Sequence, residues 1–131
     1  MCQRSWPVLG LVLLGIAGCG ASAEKAPKAV VSWGATAARV GETRLRGEIP
    51  LAFARRTLRT ASDELREQRD TVLDDPGAVR DPRSFTGRID SLVKSITDLD
   101  DAFANDDREA AGRAVGEIAG HTRELRRWAR P

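Results

Sequence analysis

Apolar side chains recur every three or four residues along most of the chain after residue 28, which is the spacing of one face of an α-helix. The strongest of these stripes runs from Phe85 to Phe103. No segment alternates between apolar and polar residues, so the pattern predicts no sheet. Breaks at residues 47–50, 74–83 and 105–106 divide the pattern into four amphipathic segments. Four helices of roughly 18–25 residues with short loops predict an all-α fold, an up-down-up-down four-helix bundle.

Local signals refine the helix ends and the outer faces. Ser84 precedes the third stripe and is predicted to cap its helix. Asp106 with Glu109 three residues later resembles a capping box for the fourth helix. The spacing of opposite charges also predicts two ion pairs on outer faces, Glu109–Arg113 and Arg66–Asp70.

A different pattern occupies the first twenty residues. Val8 to Ala17 is an unbroken run of apolar residues and glycine, preceded by Arg4 and followed by small residues. This order is that of the three regions of a secretory signal peptide. The run is too short for a comfortable membrane span, which needs ~20 apolar residues. Residues 1–18 are therefore predicted to be a signal peptide.

The end of this segment, Ile16-Ala17-Gly18-Cys19, resembles a bacterial lipobox: an aliphatic residue, two small residues and a cysteine. Ile16 stands where leucine is commoner. The resemblance implies that diacylglycerol is attached to the sulfur of Cys19, that cleavage occurs before Cys19, and that the new amino terminus is acylated. Two or more acyl chains hold a protein stably on a bilayer. The alternative is an ordinary signal peptide with an incidental cysteine.

The lipobox implies a location and a domain order. The protein is expected in the cell envelope, lipid-anchored to a bacterial membrane and facing the periplasm or the exterior. Gly20, in place of aspartate, is compatible with sorting to an outer membrane. Ala21 to Lys28 is small and polar with one proline, so residues 19–28 are predicted to be a lipidated flexible tether. Residues 29–131 then form the helical bundle domain.

Composition excludes several classes of function. The chain has 131 residues, with 21 Lys and Arg against 19 Asp and Glu, a balance untypical of nucleic-acid binders. It has one His and two Cys, of which Cys2 would leave with the signal peptide and Cys19 would carry lipid. We therefore expect no disulfide, metal or cofactor. The sequence contains no nucleophile elbow and no glycine-rich phosphate loop, and it shows no catalytic Ser–His–Asp set, so we expect no enzymatic activity.

His121 falls on the apolar stripe of the fourth helix and is a candidate ligand-binding residue, for haem or a small apolar molecule inside the bundle. The alternative is a histidine at the edge of the core, supported by Glu117 one turn earlier. Residues 107–130 are similar in amino-acid composition to the last helix of the cytochrome c-prime and soluble b-type cytochrome family. That resemblance implies a four-helix bundle without haem, because the attachment positions fall on Thr122, Leu125 and Arg126 and the mature chain has no methionine.

Two charged clusters and two tryptophans complete the candidates. Arginines crowd the last helical turns, where they would contact anionic headgroups or lipopolysaccharide phosphates, or else complement the helix dipole. Aspartates crowd the turn between helices 3 and 4, but their spacing fails the EF-hand template, and capping is the simpler interpretation. Trp33 and Trp128 are predicted to close one end of the bundle together or to touch the bilayer interface. The clusters are Arg123, Arg126, Arg127 and Arg130, and Asp98, Asp100, Asp101, Asp106 and Asp107.

Two functional hypotheses follow. The first is a non-catalytic lipoprotein whose helical bundle is an interaction or structural module, with the membrane as one partner through the anchor. Because the apolar core is modest, a protein partner or a homo-oligomer covering a helix face would stabilise the bundle. The second is a bundle that binds haem or a small apolar ligand at His121. Nucleic acid is not an expected partner, since an exported protein does not normally meet it.

Overall fold

The computed structural model describes residues 22–130, and four helices make up most of them. The predicted signal peptide and Cys19 lie outside the described residues, so both stay predictions. Single turns of 3₁₀ helix precede α1 and α3, and residues 22–130 contain no strand. This confirms the all-α prediction. The helices are α1 (Ala26–Leu45), α2 (Leu51–Asp74), α3 (Pro82–Ala104) and α4 (Arg108–Ala129), and the 3₁₀ turns are Ala23–Lys25 and Pro76–Ala78.

The helices form a closed four-membered bundle. Each packs against its neighbours along the chain, α1 also packs along α4, and contacts between the diagonal helices α1 and α3 are few. Short connections between antiparallel neighbours produce this up-down-up-down order, as predicted. As a result, the start of α1, the α2–α3 loop and the end of α4 lie at one end of the bundle.

The core is built around α3. Its stripe supplies five of the large side chains that are completely buried, in agreement with its strength in the sequence. The other three helices each contribute shorter rows, with alanine at many of their inward positions. The five are Phe85, Ile89, Leu92, Ile96 and Leu99.

The ends of α3 and α4 differ from the predictions by one to three residues. Helix α3 begins at Pro82, after Asp81 with a φ of 47°, so Ser84 lies inside the first turn and is not the cap. Proline suits this position because it has no N–H to leave unsatisfied and its φ is helical. Asp107 caps α4, and its side chain accepts a hydrogen bond from the Ala110 N–H at 3.0 Å. Asp106 cannot take that role because its φ of 54° is left-handed rather than extended.

The predicted tether is shorter than expected. Its last six residues are helical, the Ala23–Lys25 turn leading directly into α1. Ala23, Ala26 and Pro27 are buried because their small side chains fit against the core of the bundle. The helical domain therefore begins at residue 23 rather than residue 29.

One of the two predicted ion pairs is present. Glu109 and Arg113 lie 3.5 Å apart on the outside of α4. The predicted Arg66–Asp70 pair is wrong, because Asp70 instead contacts Arg69 at 3.2 Å. Arg69 also contacts the carboxylate of Asp90 on α3. A contact between two helices cannot be predicted from the spacing of charges within α2 alone.

Side chains of the neighbouring helices pack directly against two glycines of α1, Gly34 and Gly41. A Cβ atom on Gly34 would overlap the hydroxyl of Thr122. A Cβ on Gly41 would lie 2.6 Å from Cγ2 of Val115 and 2.9 Å from Cδ2 of Leu99. Both distances are too short for carbon atoms in contact, so only glycine fits this pairing without a shift of its neighbours.

Candidate functional site

His121 lies on α4 at the edge of the core, facing α3. Its Nδ1 is 3.2 Å from an Nη of Arg88, and the pKa of His121 is lowered by burial first and by the charge of Arg88 second. A neutral imidazole accepting from the guanidinium satisfies this contact. Glu117 was the predicted support, but its carboxylate accepts a hydrogen bond from Ser95 at 3.3 Å instead.

The surroundings of His121 do not favour the ligand-binding hypothesis. A cavity of about 240 Å³ shares Arg88 with it, but His121 is not part of the lining. That lining is polar and cationic, whereas a haem site needs an apolar pocket with the imidazole pointing into it. The lining residues are Arg80, Asp81, Ser84, Arg88, Arg127 and Trp128.

Trp128 closes this end of the bundle with a partner other than the predicted one. Its ring lies 5.4 Å from that of Phe85, and its indole N–H donates to the carbonyl of Arg80 at 2.8 Å. The guanidinium carbons of Arg80 and Arg127 are each 5.8 Å from the ring centre, within the range of a cation–π contact. Trp33 is half-buried against the core at another position.

Three of the five aspartates near the α3–α4 turn have side-chain partners within the described residues. Asp100 accepts from Arg55 at 2.7 Å, Asp98 pairs with Lys94 at 3.0 Å, and Asp107 caps α4. No group of three or more His, Cys, Asp or Glu side chains in residues 22–130 is arranged to hold a metal ion. Capping and ion pairing therefore account for three of the five carboxylates, and the other two, Asp101 and Asp106, are exposed.

The strongest candidate site is a groove between α1 and α4, here called the arginine groove. It has a volume of about 410 Å³. Four arginines line it, one from α1, one from the residue directly after α1 and two from α4, together with a single carboxylate, that of Glu42. The arginines are Arg39, Arg46, Arg123 and Arg126.

The floor of the arginine groove is made of small residues. Ala35, Ala38 and Ala119 lie there beside Thr122, which is 2% exposed and donates its hydroxyl to the carbonyl of Ile118 at 2.7 Å. The short side chains let the two helices approach closely and leave the longer arginines at the rim. The groove is thus shallow, with guanidinium groups as its main polar feature.

The charges of the arginine groove are poorly compensated. Arg46 lies 3.2 Å from Glu48, but Arg39, Arg123 and Arg126 form no ion pair within residues 22–130. Arginine stays protonated at any physiological pH, so like charges remain close together. Such a cluster is suited to an anionic ligand, because planar guanidinium groups hydrogen-bond phosphate or carboxylate oxygens in pairs.

A second groove, between α2 and α3, provides a contrast and is here called the mixed-charge groove. Its volume is about 280 Å³. Arg59 and Arg66 line it together with Asp63 and Asp100, so positive and negative charges are equal in number. Arg66 lies 3.5 Å from Asp63, and Arg59 lies 3.6 Å from Asp100. These arginines are neutralised inside the molecule.

The structure divides the predicted C-terminal arginine cluster. Arg127 lies over Trp128 and contacts Glu124 at 2.7 Å, whereas Arg123 and Arg126 face α1. Sequence reasoning missed Arg39 and Arg46, which join them from α1. The signal that could have found them was the seven-residue spacing of Arg39 and Arg46, which places both on one outer face of α1.

None of the helices within residues 22–130 combines the length and the apolar character that crossing a membrane requires. Comparisons of the chain with protein-family models, with curated proteins and with solved structures gave no match.

Proposed function

We propose that this protein is a lipoprotein of the bacterial cell envelope, anchored through Cys19, whose helical bundle is a non-catalytic interaction or structural domain. The observation that carries the proposal is the lipobox-like Ile16-Ala17-Gly18-Cys19, which begins within the last two residues of the ten-residue run of apolar residues and glycine, Val8 to Ala17. Position, run length and cysteine agree with a lipoprotein signal. The small residues after Cys19 suit a short connection to a folded domain.

The structure supports a short connection between the anchor and the bundle. The first helical turn begins at Ala23, four residues after Cys19. Four extended residues reach at most about 14 Å. The start of α1 would therefore lie close to the headgroups of the membrane, and the bundle would stay beside the bilayer rather than range far from it.

The proposal is tested by the Cys19→Ser variant of the full chain, expressed in a bacterium and compared with the unchanged chain. In membrane fractionation, the variant should shift from the pellet to the soluble fraction, or it should accumulate as an unprocessed precursor. Mass spectrometry of the amino-terminal peptide should find acyl groups on Cys19 of the unchanged chain and none on the variant.

Cys2→Ser is the matched control, because Cys2 lies in the segment that cleavage removes. It should leave the fractionation and the mass of the mature chain unchanged. An unmodified Cys19 in the mature chain, or unchanged fractionation of a processed Cys19→Ser chain, would refute the lipid anchor.

A further inference from the structure

We infer that the arginine groove binds the phosphate groups of anionic lipids, so that the bundle lies along the membrane surface with its α1–α4 side down. This inference rests on the proposed anchor for its biological setting. It adds a second, electrostatic contact with the same membrane and assigns an orientation to the bundle.

The first support is charge. The arginine groove holds four guanidinium groups against one carboxylate, and three of the four form no ion pair within the described chain. A lipid phosphodiester has a single negative charge and free oxygens, which match the paired N–H groups of arginine. Each arginine near an anionic surface adds a comparable increment of attraction, so several in one groove act together.

The second support is shape. Small residues occupy the outer side of α1 and α4 around the groove. Ala35 and Ala38 form its floor, while Gly112 and Gly116 of α4 are exposed with open space at their Cβ positions. A face without bulky side chains can approach a flat bilayer closely, and long arginine side chains then reach the headgroups.

The third support is position. Helix α1 is the first α-helix after the proposed anchor, and the groove lies along it. Arg39 is thirteen residues beyond Ala26, which is about 20 Å along the helix axis, and Arg46 is about 30 Å along it. An upright bundle would hold these arginines beyond the headgroups, whereas a bundle lying on α1 and α4 brings all four to the same surface.

Other basic residues fit this role less well. At the bundle end, Arg80 donates to the carbonyl of Arg127, and both arginines lie over Trp128. In the mixed-charge groove, two aspartates balance Arg59 and Arg66. Anionic lipid would have to displace those internal contacts, but three arginines of the arginine groove, Arg39, Arg123 and Arg126, require no such exchange.

The experiment measures binding of the full-length chain to lipid vesicles by cosedimentation at low ionic strength. Every protein carries Cys19→Ser, so the result does not depend on whether Cys19 is modified. One set of vesicles is phosphatidylcholine, and the other is an equimolar mixture of phosphatidylcholine and phosphatidylglycerol. Binding to phosphatidylcholine alone measures the contribution of the apolar segment at residues 8–17, and the difference between the sets measures attraction to anionic lipid.

Two double variants with the same net charge are compared. Arg123→Gln with Arg126→Gln removes two charges from the arginine groove, and Arg59→Gln with Arg66→Gln removes two from the mixed-charge groove. Each arginine near an anionic surface strengthens binding roughly fivefold, so the first double variant should reduce the preference for anionic vesicles by about 30-fold. The second double variant should reduce that preference by less than about threefold. Arg39→Gln, on the other helix of the groove, should weaken it about fivefold.

All of these arginines are exposed, so circular dichroism should show unchanged helix content in every variant. If the Gln pair nevertheless unfolds, the pair Arg123→Lys with Arg126→Lys replaces it, because lysine keeps the positive charge. The Lys pair should stay within about threefold of the unchanged groove. Equal loss in both Gln pairs would overturn the inference in favour of a net-charge effect. Equal binding of the unchanged groove to both vesicle sets, or saturation by inorganic phosphate with no preference for anionic vesicles, would also overturn it.

Discussion

The α1–α4 and α2–α3 sides of the bundle hold their helices together by different physical means. On the α1–α4 side, Gly34 and Gly41 allow close backbone approach, and no ion pair in residues 22–130 joins the two helices. On the α2–α3 side, arginines of α2 cross to aspartates of α3. The crossing pairs are Arg55–Asp100 at 2.7 Å, Arg59–Asp100 at 3.6 Å and Arg69–Asp90 at 2.9 Å.

This difference explains why the two grooves differ in chemistry. Where shape complementarity positions a helix pair, charged side chains at the rim need no partner across the interface. Where ion pairs cross the interface, the charged side chains already contact partners within the molecule. Arg39, Arg123 and Arg126 therefore remain free to bind an outside anion, whereas Arg55, Arg59 and Arg69 of α2 are paired within the molecule.

The largest expected effect comes from Gly41→Ala, which attacks the close approach directly. The added methyl group would meet Val115 and Leu99, and overpacking typically costs about 1–3 kcal/mol. Alanine's better helix propensity offsets up to about 1 kcal/mol of this. Urea denaturation followed by circular dichroism should show a net loss of about 1–2 kcal/mol in the free energy of unfolding. An equal or higher stability would mean that α1 and α4 can separate without cost.

A smaller loss is expected for Asp100→Asn, which tests the ion pairs on the other side. Asp100 is 15% exposed and accepts a hydrogen bond from Arg55, so its removal should lower the free energy of unfolding by about 1 kcal/mol. A double-mutant cycle with Arg55→Gln isolates the pair. Arg56→Gln, at an exposed neighbour that forms no ion pair in the described chain, serves as control and should show no coupling with Asp100. Coupling of equal size with Arg56 would refute a specific pair.

Gly116→Ala should have the opposite sign from Gly41→Ala. Gly116 lies on the same two-helix side but faces outward, and a Cβ atom added there would have no neighbouring atom within 4 Å. Alanine in an exposed helix interior is favoured over glycine by about 0.5–1 kcal/mol, so the variant should be more stable by that amount in the same urea assay. Destabilisation would show that the outer face of α4 is covered in solution.

The smallest effect concerns His121, whose contact with Arg88 joins α3 to α4 between the two sides. Burial and Arg88 lower its pKa in the folded state, so the unfolded chain binds the proton more tightly. The free energy of unfolding should therefore fall as the pH drops below about 6.5, the pKa of histidine in the unfolded chain. It should stop falling once the pH is below the lower pKa of His121 in the folded state. His121→Gln should remove this part of the pH dependence of unfolding. In NMR titration, Arg88→Gln should raise the pKa of His121, and an unchanged pKa would contradict the role of Arg88.

Much of the fold was readable in the linear pattern, because helix formation and burial depend on spacing within each segment. The stripe from Phe85 to Phe103 predicted the helix that supplies more large, completely buried side chains than any other helix, and Glu109 and Arg113 pair as their spacing indicated. The helix starts were less predictable. Asp106 was the predicted cap of α4, but its left-handed φ excludes it, and Asp107 caps the helix.

The four-helix architecture, the helical spacing of the core and the lipobox-like segment thus belong to the linear sequence, because each depends on residues near one another along the chain. The pairing of α1 with α4, the partners of Asp100 and the gathering of Arg39 and Arg46 with Arg123 and Arg126 depended on how the helices pack. These residues are separated by tens of positions, and only close packing of distant segments brings their side chains into one groove.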